Sequence, residues 1–206
     1  MPSFDCIVTF LVVSFFDVLL PDPPPEPVVQ RPVWSGPPTG VLPGYSAQKA
    51  VVFKTEDTLL VVHRFLVYPN GVEFTLTLLP RDASYELGDV PWQLHGHPHR
   101  RSRSDSIPDE FLRFGILFSD GTKWTNLDWR HPSTYEEPSG PVITGRGGGG
   151  GGDEWEMGYW MWPLPPEGNM TFVASWPVRD IPEQRAELDA TEIRDHADES
   201  ETIWET

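Results

Sequence analysis

Three histidines at alternate positions, His95, His97 and His99, have a type and spacing that could do chemistry. On an extended backbone, side chains two apart share one side of the strand, so these imidazoles would converge as a zinc or copper centre requires. Arg100, Arg101 and Arg103 follow directly and would repel a bound cation, which also makes the stretch a basic loop able to meet an acidic surface. The glycine run from Gly147 to Gly152 invites a phosphate. No Gly-Lys-Ser or Gly-Lys-Thr follows it, however, and Asp153 and Glu154 would repel the anion. Carboxylates such as Glu136 and Glu137 are plentiful, but a glycosidase pair meets in space rather than in sequence, so their number decides nothing. The chain holds no His-Glu-x-x-His, no Gly-x-Ser-x-Gly and no Cys-x-x-Cys.

Aromatic residues offer a different chemistry. Trp160 and Trp162 stand two apart on one strand face, with Trp124 expected nearby. Flat rings so placed stack on sugars or anchor a protein partner, whereas the plainer reading has them filling a core on both sides of a central strand.

These residues need strands to hold them, and strands are what the hydrophobic pattern predicts. Residues 21–43 carry Pro-Asp-Pro-Pro-Pro-Glu-Pro and Gly-Pro-Pro-Thr-Gly, which lack the donors for a helix or central strand; residues 1–46 therefore read as an extension and proline-rich linker. Residues 59–68 are apolar on both faces, as in a central strand. Asn70-Gly71 reads as the loop of a tight hairpin, which sets Val67 opposite Phe74, Phe65 opposite Leu76 and His63 opposite Leu78, with His63 on the core face. In the returning strand Val72, Phe74, Leu76 and Leu78 point inward, while Glu73, Thr75 and Thr77 point to solvent. Residues 80–109 form a long loop without hydrophobic period. Leu112, Phe114, Ile116 and Phe118 alternate next, and Asp120-Gly121 turns the chain into residues 122–127. The glycine run is expected as a flexible loop over 145–153, because it has no side chains to bury. Beyond it Trp155, Met157, Tyr159 and Met161 share one face, with Glu156, Gly158, Trp160 and Trp162 on the other. Met170, Phe172, Ala174 and Trp176 then alternate. Asp189, followed three residues later by Glu192, marks the N-cap of a helix running to about Trp204, with Ile193, Ala197 and Trp204 on one side. The expected fold is mostly β: a two-sheet antiparallel β-sandwich of about seven strands with a short C-terminal helix, over residues 47–206.

Composition narrows the partners. A net charge of −16 argues against general nucleic-acid or anionic-membrane binding, since phosphate surfaces attract clustered Lys and Arg. The acid is concentrated from Asp180 onward, where ten Asp or Glu face two Arg, and this stretch reads as a solvated acidic tail. Cys6 is the sole cysteine, so no intramolecular disulfide forms, which fits a reducing, cytoplasmic setting. The apolar stretch 7–16 lacks a basic n-region and a cleavage site and is shorter than the ~20 residues that span a bilayer.

Several strings, His63-Arg64-Phe65-Leu66-Val67-Tyr68-Pro69-Asn70-Gly71, Arg113-Phe114-Gly115, Ser119-Asp120-Gly121 and Tyr159-Trp160-Met161-Trp162-Pro163-Leu164-Pro165-Pro166 among them, resemble a family of uncharacterised actinobacterial proteins. The resemblance spans roughly residues 36–204, leaves out the stretch before Val28, and implies no particular chemistry. The leading functional expectation is a non-enzymatic cytoplasmic module that needs no cofactor and binds a protein partner through an aromatic patch or through Arg100, Arg101 and Arg103. A carbohydrate-binding sandwich using Trp160 and Trp162 is the alternative, and a metal-assisted hydrolase on His95, His97 and His99 the third reading.

Overall fold

In the computed structural model, which describes residues 31–81, 107–127, 136–151 and 154–204, the alternation becomes twelve described strands in three antiparallel sheets. In chain order they are β1 (Val41–Leu42), β2 (Gly44–Ser46), β3 (Ala50–Lys54), β4 (Thr58–Tyr68), β5 (Gly71–Pro80), β6 (Arg113–Leu117), β7 (Lys123–Thr125), β8 (Val142–Gly151), β9 (Glu154–Trp162), β10 (Asn169–Trp176), β11 (Ile181–Asp189) and β12 (Glu201–Thr202). The large sheet runs β2-β4-β5-β9-β8, with β3 also on β4. The second runs β11-β10-β6-β7, and β1 pairs with β12.

The two larger sheets meet through aromatic rings. Phe65, Phe74 and Tyr159 reach from the large sheet to Phe114, Trp124 and Phe172 of the second. Phe74 stacks on Tyr159 at 5.3 Å between centroids, Phe114 stacks on Phe172 at 6.1 Å, and Phe74 meets Phe172 edge-on at 5.9 Å. Each buried ring contributes roughly 1.5–3 kcal/mol of transfer free energy, with about 0.5–1.5 kcal/mol more for a well-oriented pair. Every inward residue expected from alternation in β5, β6 and β10 is buried: Val72, Phe74, Leu76 and Leu78; Leu112, Phe114, Ile116 and Phe118; Met170, Phe172, Ala174 and Trp176. Asn126 closes β6 from the end of β7. Its Oδ1 accepts from the Phe114 amide and its Nδ2 donates to the Leu112 carbonyl, both at 2.9 Å, so the side chain stands in for a strand.

The described strands outnumber the expected seven, and six local expectations need correction. Order begins before residue 47, because β1 and β2 precede it and Trp34 already packs on Trp162 at 6.0 Å. The glycine run is a strand rather than a loop. Gly148 and Gly150 let β8 lie close against β9, where a Cβ at either would collide with the carbonyl oxygens of Glu156 and Glu154. The β4–β5 turn falls one residue early, with Pro69 and Asn70 in the loop and Tyr68 opposite Gly71. Proline suits the first loop position because its φ is already set. With a further bulge at Arg64, His63 lies opposite Thr75 instead of Leu78 and faces outward. The acidic stretch after Asp180 begins with β11, paired to β10 from Asn169–Asp189 to Trp176–Ile181. Finally, the helix α1 is short, Ala190–Asp195, continued by a 3-10 turn at His196–Glu199 before β12. Asp189 does cap it, accepting from the Thr191 amide at 2.8 Å.

Candidate functional site

The outer face of the large sheet, turned away from the second sheet, carries polar residues where β4, β5, β9 and β8 lie side by side. Thr75 stands opposite Gly158, Glu73 opposite Trp160, and Thr77 opposite Glu156. Bulges interrupt both flanking strands at this level. On β4 the register passes from His63–Thr75 to Leu66–Glu73, so Arg64 and Phe65 share the place opposite Phe74. On β8 it passes from Gly145–Tyr159 to Gly148–Met157, so Arg146 and Gly147 share the place opposite Gly158. Bulges turn side chains out of the regular alternation, and both here aim an arginine across the face. Arg64 adopts φ 56°, a left-handed conformation that disfavours a residue with a Cβ.

The two arginines reach opposite carboxylates. Arg64 Nη1 donates to Glu156 Oε1 and Oε2 at 2.8 and 3.0 Å, across β5. Arg146 Nε pairs with Glu73 Oε1 at 3.2 Å, across β9. Arg64, Arg146 and Glu73 thus surround a floor of Thr75 and Gly158, and Tyr45 and Leu66 complete the wall of a shallow depression of about 430 Å³. The ion pairs stay wet: the side chains of Arg64 and Arg146 are 54% and 40% exposed, those of Glu156 and Glu73 29% and 23%.

A hydrogen-bond chain borders the depression. His63 Nε2 lies 2.7 Å from Thr77 Oγ1, which donates to Glu156 Oε1 at 3.3 Å. Because Thr77 gives its one proton to a carboxylate that only accepts, His63 must hold its proton on Nε2 and donate. Burial, then Arg64, hold the His63 imidazole below its usual pKa, against the opposing pull of Glu156 and Glu154. Tyr68 Oη donates to Glu73 at 3.4 Å, and burial followed by the Glu73 charge raises its phenol.

The expected site residues distribute differently. Trp160 and Trp162 do share the outer face, but Trp160 is fully buried, its Nε1 donating to the Trp34 carbonyl at 3.0 Å and its ring edge-on to Tyr68 at 5.8 Å. It therefore cannot serve as a stacking platform. Trp162 is half-buried and borders a separate hollow of about 250 Å³ walled by Pro138, Pro141, Pro163 and Leu164. Asp120 lines the same hollow, its carboxyl held below the usual range by hydrogen bonds from the Thr122 hydroxyl and amide. Trp124 packs into the sandwich interior, 5.9 Å from Tyr159, and does not join the other two. Arg100, Arg101, Arg103, His95, His97 and His99 lie outside the described residues, as do residues 1–30. The alternation of the sequence turns Glu73 to solvent and puts Glu156 on the strand face of Trp160 and Trp162, but it gives no sign of Arg64, Arg146 or Tyr45 as site residues. Nothing in the sequence announces which strands are neighbours, so the pairings across β5 and β9 carried no local signal.

Among the described residues, no three His, Cys, Asp or Glu side chains cluster as a metal site would need, and no helix is long and apolar enough to cross a membrane. No protein-family model, no curated protein and no solved structure matches this chain.

Proposed function

We propose that the protein is a non-enzymatic binding module whose ligand lies on the outer face of the large sheet, over Thr75 and Gly158. The observation that carries this reading is the pair of bulges, each aiming an arginine over a floor of small residues, with Arg64 kept in a backbone conformation that costs stability. Local strain is retained where a function uses it. The depression of about 430 Å³ falls within the ~300–1,000 Å³ usual for small-molecule sites. Binding suits the groups better than catalysis: both carboxylates are tied in ion pairs, and the Thr77 hydroxyl is buried beneath His63 and Glu156. The protein-partner reading loses the support of Trp160, whose ring is covered, and a small polar ligand fits the remaining surface.

The test is a titration of ¹⁵N-labelled protein with methyl β-glucopyranoside, diglycine, citrate and spermidine as probes. At least one probe is expected to move the amide signals of Thr75, Gly158 and Leu66 saturably. If none of them moves these signals, or if shifts gather at the hollow beside Trp162 instead, the reading is overturned.

A further inference from the structure

Building on that reading, we infer that the ligand is a saccharide, held through two neighbouring hydroxyls of a pyranose ring with one ring face against Tyr45. The charges select this class. An anion entering the depression meets Glu73 on a chain of net charge −16, and a cation meets Arg64 and Arg146. Each charge already has its partner beside it and stays wet, so an ionic ligand meets the opposite charge next to the one it would pair with and gains little from either.

A hydroxyl is different, because it accepts and donates at once. It can accept from a guanidinium N–H and donate to the carboxylate beside it without parting them. The donors are available. Arg64 engages Glu156 through Nη1 and Arg146 engages Glu73 through Nε, with Nη1 of Arg146 close to Gly36, so each guanidinium has further N–H groups beyond the one in its ion pair. Arg64 lines the same floor as the Arg146–Glu73 pair, so adjacent hydroxyls can be served from both sides. The apolar part of the ligand has its own surface: Tyr45 is 53% exposed at the wall of the depression, with half-buried Leu66 beside it. An exposed aromatic beside charge-balanced donors and acceptors matches the amphipathic faces of a sugar ring. Gly158 keeps the floor low, and an added Cβ would meet only the Gly147 carbonyl at 3.5 Å and the Arg146 Cβ at 3.6 Å, ordinary contacts that leave the fold intact.

The experiment is a ¹⁵N titration of the full chain with the methyl glycosides of glucose, galactose, mannose and N-acetylglucosamine, beside diglycine and citrate. At least one glycoside is expected to shift Thr75 and Gly158 saturably. Its dissociation constant is expected to rise at least tenfold in Tyr45→Ala and in Gly158→Ala, with the remaining spectrum retained in both. Shifts from diglycine or citrate but from no glycoside overturn the saccharide and leave the binding face standing. Silence from every probe overturns both. Glycoside binding that neither variant weakens overturns the placement on this floor.

Discussion

Replacing Arg64 separates what its backbone costs from what its side chain contributes. At φ 56° a residue with a Cβ is strained by about 1 kcal/mol relative to glycine. Arg64→Gly relieves that strain, but the freer unfolded chain returns about 0.4–1 kcal/mol. Loss of the pair with Glu156 costs a few tenths to about 0.5 kcal/mol, discounted because the arginine is 54% exposed. These terms nearly cancel, and Arg64→Gly is expected within about 0.5 kcal/mol of the parent. Arg64→Val keeps the strain, adds the crowding of a branched Cβ in a left-handed conformation and loses the same pair. It should fall about 1.5 kcal/mol below the parent, with Arg64→Ala between the two. Urea unfolding reads this directly: at a slope of ~1–3 kcal/mol per molar, glycine and valine variants should differ in midpoint by about 0.5–1.5 M with an unchanged slope. If Arg64→Val were as stable as Arg64→Gly, the bulge would not depend on position 64 and the strain argument would be refuted.

His63 titrates below 6.5 in the folded chain, so between that value and its folded pKa the unfolded chain binds the extra proton and stability falls as pH drops. His63→Gln should flatten this acid-side loss in unfolding midpoints measured across the range, and Arg64→Gly should raise the His63 midpoint followed by its C2 proton; a parent midpoint at or above 6.5 would contradict both. The Tyr159 hydroxyl is buried without a hydrogen-bond partner among the described residues, and burial raises its phenol, so Tyr159→Phe should gain about 1 kcal/mol in urea unfolding. Asn126→Ala strands the Phe114 amide and the Leu112 carbonyl at the end of β6, for an expected loss of about 2–4 kcal/mol; a loss under half of the lower figure would mean that water replaces the amide.

What could be read in advance follows from where side chains meet the core. β5, β6 and β10 each place one face in the sandwich, so a period of two is written into their residues and their inward sets were legible. β8 was not, because its six glycines carry no side-chain period, and the close approach that requires Gly148 and Gly150 belongs to β9, not to the run itself. β11 escaped for a related reason. It is an edge strand whose buried residues, Ile181 and Leu188, sit near its ends, with Glu183, Arg185 and Glu187 exposed between them. Charged edges resist further pairing, and in sequence they resemble a solvated tail. The Arg64 bulge has no glycine to announce it. The candidate site was therefore visible only as separate outward residues, since its pairs join β4 to β9 and β5 to β8 across an intervening strand each time.

The ribbon of β1 and β12 has a mechanical consequence. Val41 lies opposite Thr202 and Leu42 opposite Glu201, with the Ile203 amide donating to the Gly40 carbonyl at 2.8 Å. The strands are antiparallel, so a tether before Gly40 and another after Ile203 pull on the same end of the ribbon. Force there opens the hydrogen bonds one after another, as a zipper opens, and does not load them together in shear. In a single-molecule pulling experiment between those points the ribbon should yield early and at low force, ahead of the sandwich, whose ten- and eleven-residue strands lie deeper in the chain.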